Sequence, residues 1–223
     1  IYEMNIRLLA YRARQNSERD DVKSLIRGRS PFIQRRPEDD VIESLYAELA
    51  TYWDALLAVL PDLRREPRIM RTDLAGEEDR DGEVLTTHFL FRPIGQLLLA
   101  ELMRTYLDRE LPAAGDVSVE RVSAVISPLA RIDWRLFSPP WIHLVFVYDS
   151  DRDKWRMRSE DRKRAVGVAK NIMQWYLGLI PFSTEEDLND GIHNEWRSLL
   201  WSLDDDEAQR LWEQIKEIAA ELE

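Results

Sequence analysis

Apolar side chains recur at helical spacing in several stretches of the chain. The strongest pattern runs from Glu38 to Leu60, where acidic residues fill the first turn and Pro61 follows the last. Its apolar members are Val41, Ile42, Leu45, Leu49, Tyr52, Trp53, Leu56, Leu57 and Leu60. Because so wide a stripe needs more than one neighbour to cover it, we predict that this helix lies at the centre of a hydrophobic core.

Shorter patterns, with their start and stop residues, predict further helices. Pro93 is suited to the first turn of one helix, and Gly178 is suited to the end of another that Ser159 would cap. The predicted ranges are Tyr2 to Gln15, Pro93 to Tyr106, Val117 to Ile126, Ser159 to Leu177, and two amphipathic helices within Ser183 to Glu223.

Two stretches rich in β-branched and aromatic residues, Val84 to Phe91 and Ile142 to Tyr148, predict short strands. The polar stretch Pro61 to Gly82 is typical of a long loop. The predicted fold is therefore α+β and predominantly helical, with several amphipathic helices and two to four short strands. We expect residues 1–182 to form a mainly helical core domain, with 183–223 as a helical pair packed on it or on a partner.

The charge of the chain is concentrated at one end. Of the formal net charge of −11, residues 183–223 carry −10, from 13 acidic and three basic residues. The sequence contains no cysteine, no apolar run of about 20 residues and no basic leader before a short apolar segment. These features predict a cytoplasmic protein without a membrane partner, and they exclude disulfide frameworks and thiolate chemistry.

Basic residues form three clusters within the nearly neutral part of the chain. The third cluster surrounds Trp155, so it combines phosphate-binding side chains with an aromatic face suited to base stacking. The simpler interpretation is a set of solvated faces paired with neighbouring acids. The clusters are Arg7, Arg12 and Arg14; Arg27, Arg29, Arg35 and Arg36; and Arg152, Lys154, Arg156, Arg158, Arg162, Lys163 and Arg164.

A second candidate binding motif is the segment Arg92-Pro93-Ile94-Gly95-Gln96, at the predicted join of a strand and a helix. Gly95 would allow close approach of another backbone, and Arg92 and Gln96 could present donors to a phosphate or a base edge. A tight strand-to-helix join, with Gly95 packed against a neighbouring element, is the structural alternative.

Motifs for enzymatic chemistry are weak. Asp149, Asp151, Asp153 and Glu160 have the spacing of a calcium loop, but Lys154 stands where the loop needs glycine. His88, His143 and His193 form no helical zinc pair, and packing roles are favoured for the first two. Neither a phosphate-binding glycine-rich loop nor a serine nucleophile elbow occurs. We therefore predict no catalytic residue, no metal and no cofactor in this chain.

Four parts of the chain, in their order along residues 38–180, carry a family resemblance. They are Val41 to Pro61, Phe89 to Leu102, Ile132-Asp133-Trp134 followed by Pro140-Trp141, and Tyr176-Leu177-Gly178. Together they resemble the C-terminal part of the DGQHR-domain family, which includes the DndB-like proteins associated with bacterial DNA phosphorothioate modification. The signature Asp-Gly-Gln-His-Arg is absent, so a match would make this chain a fragment, and no signature residue can be carried over.

The resemblance implies a role in DNA modification or phage defence, including regulation of transcription through DNA binding. The leading hypothesis is a non-catalytic region in which the Arg152 to Arg164 cluster contacts DNA and the acidic helices contact other modification or defence proteins. The alternative is a protein-interaction or oligomerisation module without nucleic-acid contact, in which these arginines pair with the acidic tail of another subunit.

Overall fold

The computed structural model describes residues 5, 8, 39–65, 70, 87–111, 117–180 and 185–222. The predicted helix from Tyr2 to Gln15, apart from Asn5 and Leu8, lies outside this part of the chain, as do the first two arginine clusters. The chain divides into two compact units, Ile1–Arg65 with Arg92–Ala130, and Glu66–Phe91 with Arg131–Glu223. The fold is predominantly helical α+β, as predicted.

Three α-helices lie within residues 39–65, 92–111 and 117–130 of the first unit. Helix α1 spans Asp39–Val59, α2 spans Pro93–Glu110 and α3 spans Val119–Ile126. Helix α1 begins with two acidic residues and is followed by the 3-10 helix Pro61–Arg64, and α2 has proline in its first turn. The Ser118 hydroxyl caps α3 by accepting from the backbone N–H of Arg121 at 3.3 Å. Helix α3 packs against both α1 and α2.

The wide apolar stripe of α1 is only partly buried. Tyr52 and Leu56 are fully buried, whereas Leu49 is half-buried and Ile42 is exposed. The C-terminal half of the helix therefore supplies the core contacts, and the prediction of deep burial along the whole stripe was wrong for its N-terminal half.

The second unit contains a β-hairpin and the remaining helices. Strand β1 (Phe146–Asp149) pairs antiparallel with β2 (Lys154–Met157), placing Phe146 opposite Met157 and Asp149 opposite Lys154. Helix α4 spans Arg162–Tyr176. A helical run follows, made of α5 (Glu185–Leu188), a π-helical turn (Asn189–His193) and α6 (Asn194–Leu199). Helix α7 spans Asp205–Leu222 and packs against α4.

Several predicted boundaries differ from the structure. In the described part of the predicted strand Val84 to Phe91, only isolated bridge pairing occurs, and Phe89–Phe91 is a 3-10 helix. The second predicted strand starts at Phe146, because the chain turns at His143. Strand β2 was missed, since the basic residues that precede α4 suggested a loop.

The ends of α4 illustrate one wrong and one confirmed prediction. The N-cap position belongs to Asp161, in the left-handed conformation at φ 49°, and Ser159 lies outside the helix. At the other end Gly178 has φ 63°, the conformation that favours glycine after a helix. Its N–H donates to the carbonyl of Trp175 at 2.9 Å, which helps to close the last turn.

The described residues of the acidic C-terminal segment are mainly helical. Asp204 directly precedes α7, and its carboxylate accepts from the N–H of Glu207 at 2.8 Å. Leu211 and Ile215 are buried, whereas Ile218 is half-buried. The described residues of this segment belong to the same compact unit as the β-hairpin and α4, whereas the sequence suggested grouping them apart from residues 1–182.

Candidate nucleic-acid interface

The cluster from Arg152 to Arg164 covers the hairpin turn, strand β2 and the first turn of α4. In an extended strand successive side chains point to opposite faces, so Lys154 and Arg156 lie on one face and Trp155 on the other. This alternation places the side chains of the cluster in different environments.

The Trp155 side chain lies in an aromatic cluster, whereas the sequence suggested a base-stacking platform. Its ring stacks on Phe146, with a centroid separation of 5.6 Å and an interplanar angle of 18°. Phe137, His143 and Tyr148 contact it edge-on at 5.2–5.7 Å. The ring is half-buried, and these contacts anchor the hairpin.

Arg158 is buried, with only 4% of its surface exposed. Its Nε donates to the carbonyl of Leu144 at 2.6 Å, and its Nη2 donates to the carbonyls of His143 at 2.9 Å and Leu199 at 3.0 Å. Burial lowers the pKa of Arg158, although an arginine remains charged near neutral pH. Arg158 therefore ties the hairpin to the end of α6, and its guanidinium is unavailable to a phosphate in this structure.

Arg156 is held by acidic neighbours on both sides. Its Nε lies 2.7 Å from Asp149 across the hairpin, and its Nη2 lies 3.3 Å from Glu160. The hydrogen bond from Arg156 lowers the pKa of Asp149, and hydrogen bonding to Ser159, to its own backbone and to Arg156 lowers the pKa of Glu160 to about 2. This pairing matches the simpler interpretation of the charge cluster.

Arg164 also has partners within the chain. Its Nε lies 3.0 Å from the carboxylate of Glu195, and its Nη2 donates to the hydroxyl of Ser198 at 2.8 Å. An arginine of the basic cluster thus pairs with the acidic C-terminal segment of the same chain.

Five of the seven cations of the cluster are exposed: Arg152, Lys154, Arg162, Lys163 and Arg164. Arg164 is engaged by Glu195 and Ser198. The side chain of Arg152 is 68% exposed, and its Nε lies 3.9 Å from Asp149, at the limit of an ion pair. We call the exposed cations other than Arg164 the reduced cationic set: Arg152, Lys154, Arg162 and Lys163.

The calcium-loop pattern folds as the hairpin turn. Asp149 pairs with Arg156, and Asp153 accepts from the hydroxyl of Tyr148, which raises the pKa of that tyrosine. Among the described residues, no group of three or more His, Asp or Glu side chains is arranged to hold a metal ion.

The second candidate motif lies in the other compact unit. Arg92 precedes α2 with extended backbone, and the N–H of Gln96 donates to its carbonyl at 3.1 Å. Gly95 is buried, whereas Arg92 and Gln96 are half-buried. Burial of Gly95 in the first turn of α2 agrees with part of the structural alternative, but a 3-10 helix, and not the expected strand, precedes α2.

The histidines occupy packed environments. His88 is buried, and its Nδ1 accepts from the N–H of Leu90 at 3.3 Å. His193 stacks on Trp196, and its ring centroid lies 4.6 Å from that of Trp212. Burial lowers the pKa of His193. His143 contacts Trp155, and burial lowers its pKa as well. These contacts agree with the packing roles favoured for His88 and His143.

Within the described residues, no helix combines the length and the apolar character needed to cross a membrane. Comparison of the chain with protein-family models, with curated proteins and with solved structures finds no match in any of the three.

Proposed function

We propose that this chain is a non-catalytic, DNA-associated region of a DGQHR-domain or DndB-like protein, working in the cytoplasm in bacterial DNA modification, phage defence or transcription regulation. The exposed cations of its hairpin turn and of the start of α4 would contact the DNA backbone. The family context rests on several segments between residues 38 and 180, which resemble the DGQHR-domain family in their sequence and in their order along the chain. The observation that carries the DNA contact is the reduced cationic set, because exposed cations near a hairpin turn and a helix start can reach phosphates.

The expected salt dependence of DNA binding follows from counterion release. Four phosphate contacts give a slope of about −3.6 in the logarithm of the binding constant against the logarithm of salt concentration. Between about 50 and 200 mM salt, binding should therefore weaken by about two orders of magnitude. Because these contacts are made to the DNA backbone, duplexes of unrelated sequence should bind with similar affinity.

The test is a fluorescence anisotropy titration of labelled duplexes at both salt concentrations. The test variant replaces the four cations by glutamine and should lose most of the salt slope. A charge-matched control replaces four exposed arginines of the first unit. The test substitutions are Arg152→Gln, Lys154→Gln, Arg162→Gln and Lys163→Gln, and the control substitutions are Arg64→Gln, Arg65→Gln, Arg109→Gln and Arg121→Gln. Equal loss in both variants, or no binding by the unsubstituted chain at low salt, rejects the DNA contact.

One observation favours the alternative of a protein-interaction module. Trp201 is 76% exposed in the turn between α6 and α7, next to the acidic start of α7. Exposed tryptophans are characteristic anchors of protein interfaces. If the anisotropy test shows no DNA binding, sedimentation of the chain and of Trp201→Ser decides whether this turn supports a homo-oligomer.

A further inference from the structure

An open groove of about 380 Å³ lies in the second unit, between the loop 137–143 and the first half of α7. Phe137, Ile142 and His143 line the loop side, and Glu207, Arg210 and Gln214 line the helix side. The volume is within the range of small-molecule sites. The groove thus combines apolar walls with four side chains able to form hydrogen bonds.

His143 is held in a conformation that favours a functional explanation. Its backbone has φ 62°, the left-handed region that side chains other than glycine rarely adopt. Two contacts fix it: its N–H donates to the carbonyl of Phe146 at 2.7 Å, and its carbonyl accepts from the buried Arg158 at 2.9 Å. Backbone strain that the surroundings hold in place is concentrated at ligand sites.

The charges of the groove restrict the ligand. Glu207 and Arg210 both line it, so a ligand of single charge would meet a like charge there. The Nε of Arg210 donates to the carbonyl of Asp206 at 3.3 Å, which leaves its terminal nitrogens as donors for a ligand. The site therefore suits a neutral molecule that carries both donors and acceptors.

The shape and the aromatic wall restrict the ligand further. Phe137 is 38% exposed, and its ring contacts Trp155 at a centroid separation of 5.3 Å. A flat, neutral heteroaromatic molecule could lie along Phe137 and His143 and direct its polar edge at Glu207, Arg210 and Gln214.

We propose that this groove binds a single unpaired nucleobase. The proposal rests on the proposed function, which brings nucleic acid to the hairpin. Trp155 of strand β2 contacts Phe137 and His143, and both of these side chains line the groove. The Glu207 carboxylate would accept from an exocyclic amine of the base, and Arg210 and Gln214 would donate to ring nitrogen or carbonyl oxygen.

The experiment uses nucleosides, which carry no phosphate, as probes. Adenosine, guanosine, cytidine and thymidine are titrated separately to about 10 mM, with binding followed by ¹H–¹⁵N NMR. At least one nucleoside should bind and shift the signals of His143 and Arg210. Glu207→Gln and Arg210→Ala should each weaken that binding about 10-fold. Glu217→Gln, on an exposed position of the same helix outside the groove, should leave it unchanged.

Three outcomes overturn the proposal: no nucleoside binds, the control variant loses as much affinity as the groove variants, or N-acetyltryptophanamide binds the groove more tightly than any nucleoside. The last outcome would indicate a protein side chain as the occupant. Circular dichroism of each variant shows that it is folded. The variant in which glutamine replaces the reduced cationic set should still bind the nucleoside. The experiment therefore distinguishes failure of the groove proposal from failure of the proposed contact with the DNA backbone.

Discussion

Replacing Arg158 should destabilise the second unit strongly, although the sequence placed this residue in a DNA-binding cluster. Arg158→Met removes three hydrogen bonds from a buried guanidinium to the carbonyls of Leu144, His143 and Leu199. At about 1.5 kcal/mol for each bond to a charged group, the loss is about 4.5 kcal/mol. Removing the buried charge relieves some desolvation cost, so we expect a net loss of about 3 kcal/mol.

The assay is urea unfolding followed by tryptophan fluorescence, which reports on the second unit because seven of the eight tryptophans belong to it. Arg162→Met is the matched control, since it removes an exposed arginine from the same segment and should change stability by less than about 0.5 kcal/mol. Arg158→Lys should recover only part of the loss, because an ammonium group lacks the planar fork that reaches three carbonyls. Equal midpoints for Arg158→Met and the unsubstituted chain would refute the structural role of Arg158.

Two further predictions use matched pairs of substitutions. Leu56→Ala should cost about 2–5 kcal/mol, because Leu56 is fully buried, whereas Leu49→Ala should cost less than about 2 kcal/mol at its half-buried position. The same urea assay with circular dichroism measures both, and equal losses would contradict the burial of α1. Gly178→Ala should cost about 1 kcal/mol, because φ is 63°, while Gly167→Ala inside α4 should stabilise by about 0.5–1 kcal/mol, because nothing lies within 4 Å of the added methyl group. A stabilising Gly178→Ala would show that the helix end does not need the left-handed conformation.

The helices were predictable because their signals are local. The periodic leucines of α1, the proline at the start of α2 and the glycine after α4 each act within a few residues of the chain. The strands were less predictable, because β1 and β2 are four residues each and gain stability from pairing and from aromatic contacts. The sequence of β2, with its basic residues, therefore did not indicate a strand.

The candidate site was predictable only as a set of residues. Sequence reasoning interprets Arg156, Arg158 and Arg164 alike, yet Arg156 pairs across the hairpin, Arg158 is buried and Arg164 pairs with the C-terminal segment. The groove with His143 and Glu207 was missed altogether, because its two walls are about 60 residues apart along the chain. A single histidine in an apolar run does not indicate which distant residues will lie beside it in the fold.

The sequence by itself determined the helical class of the protein, the positions of its principal helices and the accumulation of acidic charge at its C-terminal end. Side-chain periodicity and helix start and stop residues act locally, within a few residues of the chain. Composition and net charge are sums over residues and do not depend on the fold. Only the tertiary structure decided which arginines face solvent and which apolar positions of α1 are buried. Burial and ion pairing depend on residues distant in sequence, and a guanidinium is equally suited to a phosphate, a carboxylate or a backbone carbonyl until the fold supplies one of them.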